Sequence, residues 1–501
     1  MQPSVSVIVP VYNPGHDIDD CIDSLLAQSM PAGALELIFV DDGSTDGTPA
    51  RLDALAAEHP HVNVVHIPNS GWPGRPRNIG IDMAHGEFVY FVDNDDWLEP
   101  DAVERLHAAA VGDGADIVIG KVVGHDRKVP RGMFRETLHA APFDSVKFLG
   151  LLTPHKLFRT AMLREHEIRF PEGRLRLEDH LFVVHAYFHA AGISVLADRP
   201  VYHWVLRDIA RHASSRRLHP EGYYGNVREV LDVVCEHTQP GPWRDRLLTH
   251  WYRGKMLGRV GGRNFARRED TFNRELVDTI RSLALERYDD DVHARLAFNM
   301  RARSLLLRAG DYEGLHRLAE LEAGLKARVR AHVRGDGRRL SLRLRAALRG
   351  LEFVRDGERL TWLPPQPLRA ALAGLDATEA VHGSQVQVLL HSLRNGTEYT
   401  LPVRTVVVLD GARPVLSASV DVEAASAAAG HELPDGDWEL RVIVTIAGFS
   451  HARSVRRNGA PLVLSAAGGR LTVRRDVLLR QATARRVLAR LLPAGPILRR
   501  A

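Results

Sequence analysis

The sequence predicts an α/β fold with a doubly wound, mostly parallel sheet, followed by a helical segment and a β-sandwich-like domain. Three observations predict it. Short β-branched runs alternate with amphipathic stretches over residues 4–121, a pattern that marks a mostly parallel sheet. Helical periodicity then dominates from about residue 220. From about residue 351, turn dipeptides separate short alternating runs.

The elements follow in order. SVSVIVP at 4–10 is apolar without alternation and reads as a strand buried on both faces. Residues 17–28 carry Ile18, Cys21, Ile22, Leu25 and Leu26 on one helical stripe. Strands are predicted at 35–40, 63–67, 87–92 and 116–121, with helices at 48–58, 77–84 and 100–110. Further helices are predicted at 181–191, 226–237, 246–260, 274–285 and 294–307. Asp356-Gly357 and Asn395-Gly396 then mark hairpins between strands at 351–354 and 359–363, and at 386–392 and 398–403. A long alternating strand is expected at 438–446. These shifts divide the chain at 1–219, 220–349, 350–475 and a basic tail at 476–501.

Composition narrows the function. With 501 residues, 45% hydrophobic and 26% charged, the chain is neither disordered nor fibrous and holds several domains. Sixty arginines stand against six lysines, with abundant alanine; this resembles codon bias, so arginine content is no sign of nucleic acid, and none is expected as a partner. Two cysteines exclude a disulfide framework and a cysteine zinc site. No signal peptide or 18-residue apolar run is visible, so the chain reads as cytoplasmic, peripheral to a membrane at most.

Chemistry concentrates at predicted strand ends, where open α/β sheets bind ligands. The first strand ends in Pro10-Val11-Tyr12-Asn13, the second in Asp41-Asp42-Gly43-Ser44, the fourth in Asp93-Asn94-Asp95-Asp96. Three carboxylates within four residues repel one another unless a cation neutralises them, and a hard divalent ion suits oxygen ligands. A solvated acidic turn is the alternative. Glu178-Asp179 stands at the start of a predicted helix, where acids also serve simply to complement the macrodipole.

VSVIVPVYN, LIFVDDGSTDGT and NSGWPGRPRNIGIDMAHGEFVYFVDNDDWL, in that order and spacing, resemble the family 2 inverting glycosyltransferases of the GT-A fold over residues 4–205. The resemblance implies a nucleotide-sugar donor and Mn²⁺ or Mg²⁺. It implies that Pro10, Tyr12 and Asp41 line the base pocket and that Asp93 contacts ribose or diphosphate. Asp95 would be the main metal ligand, with Asp93 beside it. Asn69, Arg75, Arg77 and Asn78 would lie along the donor, guanidiniums being suited to phosphate. Leu177-Glu178-Asp179-His180 resembles the family's Glu-Asp motif, making Asp179 the general base and Glu178 its supporting acid. His203 is a further metal candidate. Arg207 and Arg211 are expected to hold the diphosphate on a closing loop.

The N-S-G-x-P-G-x-P-R-N run and the three-part layout resemble wall-teichoic-acid glycosyltransferases, which use UDP-N-acetylglucosamine on poly(ribitol phosphate) and in some cases oligomerise through their C-terminal region. Trp72 departs from the small residues common at its position and leaves the sugar open. Lys255 and Arg259 are acceptor candidates for a glycan or polyol-phosphate polyanion. The processive members' Gln-x-x-Arg-Trp motif is lacking, so single-sugar transfer is expected. A nucleotidyltransferase is the alternative enzyme, disfavoured because the loop after the first strand has no basic residue. A non-catalytic glycan-binding scaffold is disfavoured by the joint presence of Asp95 and Asp179. Trp362, Tyr399 and Trp438 are the aromatics available to bind glycan in the β region, with core packing the expected role.

Whole-chain charge is +4, but residues 470–501 hold nine arginines and one aspartate, leaving −4 on the remainder. The basic amphipathic stretch at 477–492 is expected to contact an anionic membrane surface or a neighbouring subunit.

Overall fold

The computed structural model describes residues 2–474 except 126, 128, 131, 207–217, 336 and 458. The basic stretch at 477–492 lies outside the described residues, as do Arg207 and Arg211.

Nine strands form the first sheet: β1 (Val5–Val11), β2 (Leu35–Asp41), β3 (Val62–His66), β4 (Phe88–Phe91), β5 (Trp97–Leu98), β6 (Ile117–His125), β7 (Leu138–Ala141), β8 (Leu157–Arg159) and β9 (Ile193–Val205). Their order is β3-β2-β1-β4-β8-β6-β9-β5, with β7 also on β9. The first four are parallel to one another. β8 then runs antiparallel to both β4 and β6. Every residue of β1 and β2 is buried, as a sheet covered on both faces requires.

Helices α1 (Asp19–Leu26), α2 (Thr48–Glu58), α3 (Gly74–Met83) and α4 (Ala102–Asp113) connect the early strands, and α5 (Thr160–Glu165) and α6 (Glu178–His189) the later ones. α3 lies very close to the sheet: a Cβ on Gly80 would fall 2.3 Å from Ile8 Cγ2. This contact seats α3, with Arg77 on it, beside the carboxyl ends of β1 and β4.

Next come α7 (Pro220–Glu236), α8 (Pro242–Trp251) and further helices ending with Tyr312–Gly324. The predicted helix at 246–260 is broken: α8 gives way to a π turn at Tyr252–Met256 and a 3₁₀ turn at Leu257–Arg259. The helical segment is also shorter than the predicted 220–349. Lys326–Gly335 and Arg339–Arg349 are paired antiparallel strands. Leu340, Leu342, Leu344, Ala346 and Leu348 are buried with period two, and their arginine neighbours face outward.

The two larger antiparallel sheets of the C-terminal region pack on each other, with two further two-stranded pairs, one of them Phe353–Asp356 with Arg359–Trp362. One larger sheet joins Lys326–Gly335 and Arg339–Arg349 to Arg413–Glu423 and Arg404–Asp410; the other is built around Gln385–Ser392 and Gly436–Ile446. Both predicted hairpins form. Trp362, Tyr399 and Trp438 are buried, so they are core side chains. No helix among the described residues is long and apolar enough to cross a membrane.

Candidate active site

The site lies where the parallel strands end, at the reversal of strand order around β1. Asp41 closes β2, almost fully buried; it accepts from the Ser44 backbone N–H at 3.0 Å and pairs with His66 Nδ1 at 2.8 Å. Asp42 Oδ1 accepts from the Ser70 N–H at 2.7 Å, and Asn69 donates to the Asp42 carbonyl at 2.8 Å. Gly43 makes this approach possible, with φ +72° and the Asn69 nitrogen 2.7 Å from where a Cβ would sit. Pro10 is buried in β1, whereas Tyr12 is 51% exposed, an open aromatic face beside Asp41. Arg75 is exposed on α3.

Arg77 is the hinge of the site. Only 3% exposed, its guanidinium donates to Asp179 Oδ1 at 2.9 Å and to Asp93 Oδ1 at 2.8 Å, and Glu178 lies 3.8 Å away. It thereby links the acidic end of β4 to the start of α6. Burial raises the Asp179 carboxyl, Glu178 adds to that, and Arg77 opposes it; the outcome is about 7. Glu178 is also raised, chiefly by burial. Leu177, just before them, has φ +68°, a left-handed backbone that costs a branched residue energy and turns the chain sharply into α6.

Asp93 behaves in the opposite way. Burial would raise it, but His155 Nε2 at 2.9 Å and Arg77 together hold it well below the usual carboxylate range. Asp96 is raised by burial and by the neighbouring Asp95 and Asp93, against the Tyr202 hydroxyl at 2.6 Å and the Val205 N–H at 2.7 Å. Asp93, Asp96 and His155 offer ligand atoms within 4.8 Å of one another, with Asp95 between the two acids in sequence. Carboxylates and one imidazole, carrying repulsion that burial does not relieve, fit a divalent ion such as Mn²⁺ or Mg²⁺.

Some expected residues sit elsewhere. His203 does not reach the acidic cluster: its ring bonds Glu99 at 2.9 Å and His125 at 2.8 Å and stacks on Trp97 at 3.5 Å. Successive strand residues face opposite ways, so β9 turns Tyr202 toward Asp96 and His203 away. Asn78 is likewise occupied, bonding the Phe170 carbonyl at 2.8 Å and the Phe170 N–H at 2.9 Å, a clamp on the chain before α6. Lys255 lies half-buried on the π turn; burial brings its amine down to about 8, with Arg259 lowering it further and Asp179 opposing. Arg259 stacks over Tyr223 at 4.5 Å and faces a cavity of about 380 Å³ with Arg263 and Arg268.

Sequence reasoning missed His155, Lys156 and Tyr202, and marked Asp96 only as part of the acidic run after β4. Lys156 is fully buried, and burial lowers it to about 7 against the pull of Asp179. The available signal was a His-Lys pair set inside the apolar run LLTPHKLF, where charge has no place without a partner.

The mostly parallel sheet in the order β3-β2-β1-β4, with acids at its strand ends, is a GT-A-like fold. Residues 6–187 match the family model "Glycosyl transferase family 2", and 220–319 match "Glycosyl transferase TarS linker domain". The chain is 38% identical over 232 residues to a poly(ribitol-phosphate) beta-glucosyltransferase of Bacillus spizizenii, covering 46% of this chain and 36% of that protein. It is 30% identical over 254 residues to glycosyltransferase GlyG of Streptococcus pneumoniae, covering 47% of this chain and 80% of GlyG. Among solved structures it resembles residues 1–349 of Staphylococcus aureus TarS in complex with UDP-GlcNAc. That likeness has TM-score 0.56 and 28% identity, over 63% of this chain and 90% of that one. The chain belongs to the family 2 glycosyltransferases. Its match spans little more than a third of the Bacillus relative's length.

Proposed function

We propose that the chain transfers one sugar from a UDP-sugar to a hydroxyl of a polyol-phosphate polymer such as poly(ribitol phosphate), or a related cell-envelope glycan. The observation that carries this reading is the Arg77 bridge, which ties the base candidate Asp179 to the donor-side Asp93. The names of the Bacillus relative and of the TarS complex support the donor and acceptor classes.

In this reading Tyr12 and Asp41 receive the base and Asp93 the ribose or diphosphate. Asp95 and Asp93 hold Mn²⁺ or Mg²⁺, which supplies positive charge to the leaving diphosphate. Asp179, poised near neutrality, accepts the proton of the acceptor hydroxyl as its oxygen attacks the anomeric carbon. The bond to the diphosphate oxygen breaks in the same step, configuration inverts, and UDP leaves. Arg77 is a positioning residue that orients the Asp179 carboxylate. Lys255, near Asp179, and Arg259, on the arginine-lined cavity, receive the acceptor's phosphates. The enzyme would act on the cytoplasmic side, where UDP-sugars are made.

The test is UDP release from a panel of UDP-sugars with Mn²⁺ and poly(ribitol phosphate), for wild type and Asp179→Asn. Turnover by wild type, lost in a variant that still binds UDP, supports the reading. UDP binding without turnover on any acceptor overturns it in favour of a glycan-binding scaffold.

A further inference from the structure

A second cluster of metal-ligating side chains lies away from the acidic one. His185 and His189 stand one turn apart on α6, so both imidazoles leave the same face. His237 caps the C-terminus of α7, which packs against α6. The three rings each offer a ligand nitrogen, all within 4.8 Å of one another. His185 Nδ1 and His237 Nε2 are 3.3 Å apart. Two imidazole nitrogens on one tetrahedral Zn²⁺, with bonds of about 2.0–2.1 Å, are separated by about 3.3 Å. Their surroundings hold the rings in place. His237 stacks on Phe188 at 4.7 Å and meets His185 and His189 edge-on, and His166 stacks on His189 at 4.0 Å. All three are only half-buried, and a cavity of about 410 Å³ lined by Phe143, His237 and Trp243 opens on the His237 side, a route by which an ion could enter.

We propose that His185, His189 and His237 form a three-histidine site for Zn²⁺ or a similar transition-metal ion. The site clips α6, whose first turn carries Glu178 and Asp179, to α7 of the helical segment. It is distinct in chemistry from the acidic cluster, since imidazole ligands select zinc-like ions and carboxylates Mg²⁺ or Mn²⁺.

The test uses the full chain without a histidine tag, in saturating Mg²⁺ to fill oxygen-rich sites. Co²⁺ is titrated in and its visible bands followed, then displaced with Zn²⁺. One equivalent of Co²⁺ with the intense bands of four-coordination, lost on adding Zn²⁺, is expected. His189→Asn and His237→Gln each weaken binding by more than the roughly 10–100-fold that outer-shell changes cost. Asp95→Asn keeps the bands. Zn²⁺ at about 100 times its Kd raises the wild-type Tm by about 5 °C and leaves His237→Gln unmoved. Equal Co²⁺ binding by wild type and both histidine variants overturns the proposal, as does loss of the bands in Asp95→Asn alone. His237→Gln at a helix cap keeps the test open if a substitution within α6 impairs folding.

Discussion

Arg77 and Arg339 each face more than one carboxylate, and the two regions that hold them treat that charge differently. Arg77 is buried between Asp93 and Asp179 in the transferase domain. Arg339 sits on the C-terminal sheet with its side chain 56% exposed, facing Asp421 and Glu423 across the strand pair. Around Arg77 burial raises both carboxyls from the same ordinary value; His155 and Arg77 nevertheless hold Asp93 low, whereas Asp179, beside Glu178, stays raised. Around Arg339 water screens the same types of group, so the pairing shapes solubility and register more than stability. The lesson is that an Arg-carboxylate pattern carries chemistry only where the fold removes water.

The largest effect that would test this contrast is on Asp179. Asp179→Asn is expected to lower kcat/KM by about 10²–10⁴-fold in UDP-release assays, the usual contribution of a general base. A smaller loss would move the base role elsewhere. Next is Arg77→Met, which leaves Asp93, Asp179 and Glu178 buried without their cation. Denaturant unfolding should register a loss of about 3–5 kcal/mol, as for a broken buried pair.

The pH dependence comes third. Asp179 is held at about 7 in the fold against an ordinary 3.8, so the native state favours its protonated form. Its contribution to stability therefore falls as pH rises from about 4 to about 7 and stays unfavourable above. The difference in Tm between wild type and Asp179→Asn should widen over that window, with the variant the more stable at pH 8. Activity should climb over the same range as the base ionises. The smallest effect is expected from Arg339→Ala, whose urea midpoint should match wild type and whose salt dependence should be slightly flatter. A large change there would erase the contrast between the two regions.

Much of the first domain was legible in the sequence. Runs such as SVSVIVP and LELIFV leave no polar face and can only be strands covered on both sides, and the acids follow immediately at their ends. The region at 326–349 was harder. Arginine, leucine and alanine are all good helix formers, and their propensity masked a period-two pattern that sheet pairing exploits. His203 was misassigned because one sequence step decides which sheet face a side chain takes, and the register of β9 against β5 is a tertiary fact. His155 lies 62 residues from Asp93, so no local spacing announces their contact.

By itself, the sequence determined the alternation of strands and helices, the acids at the strand ends, and the Glu178-Asp179 pair at a helix start. Periodicity and apolar runs are local properties, and family motifs are local strings. Tertiary structure decided which acids are ionised, through Arg77, His155 and burial. It also decided which histidines meet, since His237 joins His185 and His189 only because α7 packs on α6. Both outcomes depend on desolvation and on contacts between residues far apart in the chain, and neither has a signature within any short window of sequence.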